Sequence, residues 1–167
     1  MRPKNAPASL RNTPPTWPEY ALKEYASSHK HPVNARIHKI CVPLITFSTL
    51  GLLWCIPVPA AIEAHSGINW ATLLVVGSLL FYALLDTQAL LLMAAISAVN
   101  LALVSGLDHA GVLLPLASVV FLVAWTVQIY GHRIEGTKPS FFKDLAFLLI
   151  GPIWVARSGL NALKRHP

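Results

Sequence analysis

The sequence has 167 residues, of which 54% are hydrophobic and only 12% are charged, and its net charge is +6. Soluble domains usually carry about 25% charged residues, so this composition argues against an ordinary soluble domain. No lysine or arginine occurs between Lys39 and Arg133, and a soluble helical core would show polar residues every few positions. Because the basic residues flank the apolar segments, the positive charge fits anionic lipid headgroups and does not indicate nucleic acid.

Residues 1–18 are rich in proline and predict a disordered N-terminal arm. Residues 19–157 are predicted to form one helical membrane domain, and residues 158–167 a polar C-terminal tail. Within the domain, Glu19–Ser28 predicts a short amphipathic helix at the membrane surface. Pro32 ends any helix that precedes it and predicts the start of a new one, because proline is well tolerated in the first turn of a helix.

Four apolar segments of 16 to 19 residues follow, each adequate for a membrane-spanning helix. They are Ile40–Val58, Trp70–Leu85, Ala89–Leu107 and Val112–Tyr130. A fifth apolar run, Leu145–Val155, is too short to span, so residues 142–156 are expected to form a re-entrant or interfacial helix. The predicted fold class is an all-α polytopic membrane protein with four transmembrane helices and a short C-terminal helix.

The basic residues also predict the orientation of the chain in the membrane. With four spans, all thirteen lysine and arginine residues lie on one side, whereas a five-span arrangement would place three of them on the other. The positive-inside rule makes the basic side cytoplasmic, so both termini are expected in the cytoplasm. Cys41 and Cys55 are about 21 Å apart along a straight helix and are expected to be unpaired apolar side chains.

This topology sorts the seven histidines. The cytoplasmic ends of the first and fourth spans are predicted to contain His29, His31, His38 and His132. His65 and His109 fall in the two outer turns, and His166 lies beside the end of the chain. The candidates for one shared site are therefore the four histidines of the cytoplasmic face, joined by Glu135.

The spacing of these residues suggests a metal site. His132 and Glu135 are three residues apart and Asn34 and His38 four apart, so each pair would project from one face of a helix. His29 and His38 lie on either side of the helix-starting proline, and the bend there allows them to converge. Two or three histidines with one carboxylate are typical of mononuclear non-haem iron(II) oxygenases, while zinc and manganese also suit these ligands.

Other interpretations stay open on the residues alone. Interfacial histidines are often only hydrated, and Glu135 has Arg133 and Lys138 as nearby partners. A small membrane scaffold or transporter, a metal sensor and a metal-dependent lipid hydrolase are alternatives. Transporters often carry ionisable groups within their spans, and no predicted span has one. Two-iron membrane hydroxylases need more histidines than the cytoplasmic face supplies.

Two blocks of sequence resemble a known membrane family. The first block contains Tyr25, His29, Pro32-Val-Asn34 and His38, and the second contains Trp125, Gln128, Gly131-His132 and Glu135, followed by Gly151-Pro152-Ile-Trp154. Over residues 20 to 157, the chain resembles the family of the fungal endoplasmic-reticulum 2-hydroxy fatty acid dioxygenase, especially its bacterial members. His31 departs from the family, which more often has asparagine there, and the interval from His132 to Glu135 is one residue shorter than in the fungal form.

The resemblance implies an enzyme of fatty acid α-oxidation, which uses Fe(II) and O₂ to shorten a long-chain 2-hydroxy fatty acid by one carbon. It implies that His29, His38 and His132 are metal ligands and catalytic residues and that Glu135 is the motif glutamate, a further candidate ligand. Candidates for supporting the ligands or binding the substrate carboxylate are Asn34, Gln128, Trp125, Arg36, Arg133 and Lys138. The bacterial likeness implies a protein of the inner membrane, surrounded by membrane lipid.

Overall fold

The computed structural model describes residues 17–27, 29–59, 68–136 and 147–163, and the regular structure within these ranges is entirely helical. The helices in chain order are α1 (Trp17–Ser27), α2 (Pro32–Trp54), α3 (Trp70–Leu85), α4 (Thr87–His109), α5 (Leu113–Glu135) and α6 (Phe147–Leu163). The predicted all-α class is therefore confirmed for this part of the chain. Most of the predicted N-terminal arm lies outside the described residues.

Three of these helices, α2, α4 and α5, are long and apolar enough to cross a membrane. Each has 23 residues, which at 1.5 Å per residue gives a length of about 35 Å. This exceeds the hydrocarbon core of a bilayer, which is about 30 Å thick. The helix α3 is also apolar but has only 16 residues, or about 24 Å. The described chain thus has the helices of a membrane protein, and the second of the four predicted spans is the short one.

The connection between α3 and α4 is shorter than the three residues that separate the predicted spans Trp70–Leu85 and Ala89–Leu107, because only Asp86 separates the two helices. Its carboxylate accepts the backbone N–H of Ala89 at 2.8 Å and so caps the first turn of α4. At the other end of α3, Asn69 and Thr72 exchange side-chain-to-backbone hydrogen bonds, which form a capping box. These caps fix both limits of the short helix.

Helices α5 and α6 run further than the apolar segments indicated. Helix α5 continues past the predicted span to Glu135, and α6 runs through the start of the predicted polar tail to Leu163. Pro152 lies inside α6, where it removes one backbone donor. The hydroxyl of Tyr82 donates a hydrogen bond to the carbonyl of Leu149 at 2.8 Å, so α3 supplies a donor near this interruption.

The contact between α2 and α5 is the most extensive in the fold. Two glycines permit it. A methyl group at Gly51 would lie 3.0 Å from Cβ of Ala117, and one at Gly131 would lie 2.5 Å from Oδ1 of Asn34. Small residues of this kind let membrane helices approach each other closely. The two glycines therefore allow α2 and α5 to pack closely near both ends of the pair.

Apolar side chains pack around both ends of this helix pair. Near the C-terminal end of α2, a buried cluster is formed by Leu50, Ala71, Val75, Val104, Leu113 and Ala117. At the opposite end, α1 and α6 pack against each other through Ala21, Tyr25, Phe147 and Ile150. Helix α6 also contacts α2. Together, α1 and α6 cover the end of the pair at which His38 and His132 lie.

Candidate metal centre

The bend between α1 and α2 brings His29 and His38 together. His29 lies in the short connection, where its Nδ1–H donates a hydrogen bond to the carbonyl of Tyr25 at 2.6 Å. His38 lies in the second turn of α2, and its Nδ1–H donates to the carbonyl of Asn34 at 3.0 Å. Because a carbonyl oxygen only accepts hydrogen bonds, Nδ1 carries the proton in both rings. The Nε2 atom of each ring then keeps its lone pair for a ligand.

His132, on the facing helix α5, completes a cluster of three histidines. The ring centroids are 4.0 Å apart between His29 and His38, 4.7 Å between His38 and His132, and 5.4 Å between His29 and His132. One nitrogen from each ring lies within 4.8 Å of the corresponding atoms of the other two. The side chains are only 6%, 1% and 3% exposed, in chain order. The structure thus brings together the three histidines that the family resemblance implied, and we call them the histidine cluster.

The electrostatics of the histidine cluster favour neutral imidazole. Burial lowers the pKa of His29 below its ordinary value of 6.5, against the raising effects of the Tyr25 carbonyl and the Glu135 carboxylate. Neutral imidazole is the form that binds a metal ion. Nε2 of His29 and Nδ1 of His132 are buried and have no hydrogen-bond partner among the described residues. Since buried polar atoms normally have a partner, these two nitrogens fit the ligation of a metal ion.

The carboxylate of Glu135 lies near the histidine cluster, but backbone and amide donors occupy both of its oxygens. Oε1 accepts the backbone N–H of Lys30 at 2.6 Å and that of His31 at 3.2 Å. Oε2 accepts a short hydrogen bond from the side-chain amide of Asn34. Among the described residues, the group with converging ligand atoms contains the three histidines and not Glu135. The hydrogen bonds of Glu135 therefore join the end of α5 to the start of α2.

Aromatic side chains cover the histidine cluster on the side of α1 and α6. The ring of Tyr25 stacks on His29 with 4.2 Å between the centroids, and Trp154 lies 5.4 Å from the same ring. Phe147 stacks against Tyr25 at 6.5 Å. No role at the metal site was predicted for these side chains, although Tyr25 and Trp154 belong to the blocks that carry the family resemblance. That resemblance was the available signal, since their spacing by itself indicates only packing.

A cavity of about 60 Å³ adjoins the histidine cluster between α2, α5 and α6. Its polar lining includes His38, His132 and Gln128, and Trp125 also borders it. Its apolar walls include Val42, Ile45, Phe147, Leu148 and Pro152. The cavity has room for a few groups the size of a water molecule. It therefore suits a small polar head group and not the whole of a long acyl chain.

The other residues considered as site candidates in the sequence lie outside the histidine cluster or outside the described residues. Arg36 and Arg133 are exposed and are not among the described residues that line the cavity. His31 stays outside the histidine cluster, because it caps α2 and its Nδ1 accepts the backbone N–H of Val33 at 3.3 Å. His109 is exposed at the C-terminal end of α4 and is not a member of the histidine cluster. Outside the described residues lie His65, His166 and Lys138.

The sequence also matches a known protein family. A family model described as 2-hydroxy-palmitic acid dioxygenase Mpo1-like matches residues 18–162. The chain belongs to the Mpo1-like family. This confirms the resemblance seen in the two sequence blocks, and the match includes every residue of the histidine cluster. No curated protein and no solved structure matches the chain.

The histidine cluster of this Mpo1-like chain fits a divalent transition metal. Its donors are three neutral imidazoles, a ligand type that suits iron, zinc, copper and nickel. Two of the rings are oriented by hydrogen bonds from Nδ1 to backbone carbonyls, as is usual for metal-binding histidines. Three protein ligands leave further coordination positions for small molecules.

Proposed function

We propose that this Mpo1-like protein is an iron(II)-dependent dioxygenase that shortens long-chain 2-hydroxy fatty acids by one carbon. The observation that carries the proposal is the buried histidine cluster, found in a chain of this family. The atoms balance when a 2-hydroxy acid and one O₂ give the shorter fatty acid, CO₂ and H₂O. The bond between the carboxyl carbon and carbon 2 breaks, carbon 2 becomes the new carboxyl carbon, and O₂ is the oxidant.

In this proposal, His29, His38 and His132 hold the iron. Bound Fe(II) supplies positions for the substrate's hydroxyl and carboxylate and the means of activating O₂. The carbonyls of Tyr25 and Asn34 orient two of the rings by accepting their Nδ1 protons. The aromatic cover and the burial of the three rings exclude bulk water from the reacting groups, which strengthens electrostatic interactions there.

The role proposed for Glu135 is to position ligands, and not to bind the iron. Its carboxylate accepts hydrogen bonds from the amides of Lys30 and His31, the two residues that follow His29. It also binds the amide of Asn34, whose own carbonyl orients His38. One carboxylate is thereby linked to the local backbone of two of the three proposed ligands. Such outer hydrogen bonds tune the affinity of metal sites.

The proposed membrane arrangement has four spans, with α3 crossing as the shortest. A short span is accommodated by local thinning of the bilayer at a modest cost. Four crossings place all thirteen basic residues on one side, and the positive-inside rule assigns that side to the cytoplasm of a bacterial inner membrane. The histidine cluster then faces the cytoplasmic leaflet. The acyl tail lies in the membrane, where each buried CH₂ contributes about 0.8 kcal/mol, and Arg36 and Arg133 attract the carboxylate to this face.

The proposal is tested by a single-turnover assay in detergent. The protein is loaded anaerobically with Fe(II), mixed with 2-hydroxyhexadecanoate and O₂, and the products are identified by mass spectrometry. We expect pentadecanoate, formed with one O₂ consumed per molecule and dependent on iron. The variant His132→Ala is expected to give no product, whereas the matched variant His109→Ala, which changes an exposed histidine, is expected to retain the activity.

Two other results would contradict the proposed dioxygenase function. If iron-loaded protein gives no shortened acid across several chain lengths, the dioxygenase function is wrong even if the histidine cluster binds metal. If Zn²⁺ supports cleavage of an ester or amide lipid without O₂, the site belongs to a metal-dependent lipid hydrolase.

A further inference from the structure

The side chain of Gln128 is the polar group of the cavity that the proposed iron site leaves unexplained. It is only 7% exposed, and its Oε1 atom has no hydrogen-bond partner among the described residues. Such buried acceptors are rare in folded proteins because each loses its hydrogen bonds to water. Gln128 lines the same cavity as His38 and His132. A ligand in this cavity can supply the missing partner.

The chemistry of the oxygen atom restricts what that partner can be. An amide oxygen accepts hydrogen bonds and cannot donate one, so it needs a group that carries a proton. An ionised carboxylate has no proton to offer. An unsubstituted methylene group next to the carboxylate offers none either. The hydroxyl on carbon 2 of a 2-hydroxy acid is a donor, and it is the feature that distinguishes this substrate class from ordinary fatty acids.

The position of Gln128 along α5 is suited to contact with the second carbon of a bound fatty acid. It lies one helical turn before His132, which displaces it by about 6 Å along the helix axis. On α2, Val42 and Ile45 follow His38 in the same direction and line the cavity. The cavity therefore changes from polar at the histidines to apolar away from them. A fatty acid whose head group lies at the histidine cluster would pass its second carbon beside Gln128 before its tail leaves toward the apolar side.

We propose that Gln128 accepts a hydrogen bond from the 2-hydroxyl group of the substrate and is the residue by which the site distinguishes 2-hydroxy fatty acids from unsubstituted ones. This inference rests on the proposed function for its class of substrate. It assigns the recognition of the hydroxyl to a side chain of the protein, in addition to any contact with the metal. Sites that hydrogen-bond a substrate hydroxyl discriminate strongly against analogues that lack it, because the buried acceptor is then left unpaired.

The test is a binding measurement that requires no turnover. The full chain in detergent is loaded with Zn²⁺, which has no redox chemistry, and the dissociation constants of 2-hydroxyhexadecanoate and hexadecanoate are compared. Wild type is expected to bind the 2-hydroxy acid more tightly. Gln128→Met, which keeps the length of the side chain and removes its acceptor, is expected to lower this preference by about fivefold, the value of one ordinary hydrogen bond. Most of the loss should fall on the 2-hydroxy acid.

Two further variants separate hydroxyl recognition from general effects on the cavity. Gln128→Glu keeps an acceptor at the position, so the ratio of the two constants should return toward the wild-type ratio even if both acids bind more weakly. Thr46→Val is the matched control. Thr46 also lines the cavity, but its hydroxyl already donates to the carbonyl of Val42 at 2.9 Å. Its replacement should leave the ratio unchanged.

The outcomes distinguish this inference from the proposed function. An unchanged ratio in Gln128→Met, or equal binding of the two acids by wild type, would overturn the role of Gln128 whatever the enzyme assay shows. A loss of selectivity confined to Gln128→Met and restored by Gln128→Glu would support it. If that result accompanies a failed turnover assay, the hydroxyl-binding site stands and the dioxygenase reaction is the part that is wrong.

Discussion

The carboxylate of Glu135 accepts the backbone N–H of Lys30 at 2.6 Å, across 105 residues of sequence. This hydrogen bond joins the last turn of α5 to the connection that carries His29. We predict that Glu135→Ala weakens metal binding by about 10- to 100-fold, as the loss of outer hydrogen bonds does in other metal sites. Titration with Co²⁺, followed by its visible absorption, measures the affinity.

The same titration separates a positioning role for Glu135 from direct ligation. At saturating Co²⁺, Glu135→Ala should give the wild-type absorption spectrum, because the three histidine ligands remain. Glu135→Gln keeps one carbonyl acceptor and should recover part of the affinity, while Arg133→Ala, at an exposed neighbour, should change nothing. A spectrum that differs at saturation would show that the carboxylate binds the metal, as the sequence had suggested.

The histidine cluster predicts which substitutions abolish the metal site. His38→Ala removes the central ring of the cluster and is expected to eliminate stoichiometric Co²⁺ binding at micromolar concentrations. His109→Ala alters a ring whose Nδ1–H donates to the carbonyl of Ser105 at 2.7 Å, at the end of α4, and should leave the stoichiometry intact. Metal analysis of both purified variants provides the measurement. Loss of metal from His109→Ala would mean that the predicted topology is wrong.

Gly131 predicts a steric effect on stability. A methyl group at this position would lie 2.5 Å from Oδ1 of Asn34 and 3.2 Å from the side chain of Ile37, so Gly131→Ala must shift these two side chains or move α2 away from α5. We expect a loss of about 1–3 kcal/mol in the free energy of unfolding, typical of overpacking. Gly106→Ala is the matched control, because no atom lies within 4 Å of its added methyl group. Unfolding in detergent should show no loss for this control.

The ion pair between Asp86 and Arg157 predicts an acid-dependent contribution to stability. Desolvation raises the pKa of the Asp86 carboxyl, but hydrogen bonds from Arg157 and from the Ala89 amide outweigh this effect and hold the pKa below 3.8. The ion pair therefore stabilises the fold above about pH 3.8, and its contribution disappears as the pH falls through the lower pKa of the folded state.

Asp86→Asn isolates this ion pair, because asparagine caps a helix about as well as aspartate. At pH 7 the variant should be less stable than wild type by under about 1 kcal/mol, since the pair is partly exposed and screened. The difference should shrink toward zero below pH 3.8. Parallel unfolding curves at several pH values measure it, and a difference that grows as the pH falls would contradict the assigned pKa direction.

The short helix α3 determines whether the two termini lie on the same side of the membrane. If α3 crosses the membrane, four crossings place both ends of the chain on the same side, whereas three crossings by α2, α4 and α5 would separate them. We expect a fluorescent-protein fusion to be bright and a periplasmic alkaline phosphatase fusion to be inactive at either terminus. Opposite results at the two termini would show that α3 does not span.

Much of this architecture could be predicted from the sequence because helices that lie in lipid must consist almost entirely of apolar residues. Long helices without charges must lie in the apolar region, so the helical class and the approximate segments follow from hydropathy. The ends of the helices do not, since they depend on local hydrogen bonds. Asp86 is an example: its side chain caps α4 and leaves a connection of one residue where three residues separated the predicted spans.

The histidine cluster was predicted through motif spacing and family resemblance, but the role of Glu135 required the packed structure. A glutamate three residues after a histidine indicates only that the two share a helix face. Which donors its oxygens meet depends on the close approach of α2 and α5 at Gly131. The cavity and the oxygen of Gln128, which has no partner among the described residues, are likewise products of the packing of α2 against α5 and α6.

The position of the α3–α4 hairpin has a consequence for biosynthesis. This hairpin separates His29 and His38 from His132 along the chain, and no described residue of it belongs to the histidine cluster or lines the cavity. While the ribosome is still producing α4, the nascent chain contains only two of the three residues of the histidine cluster, His29 and His38. The complete set first exists when α5 enters the bilayer and pairs with α2. Under the proposed function, metal loading is therefore expected late in maturation, and a bound ion would report that insertion of α5 has been completed.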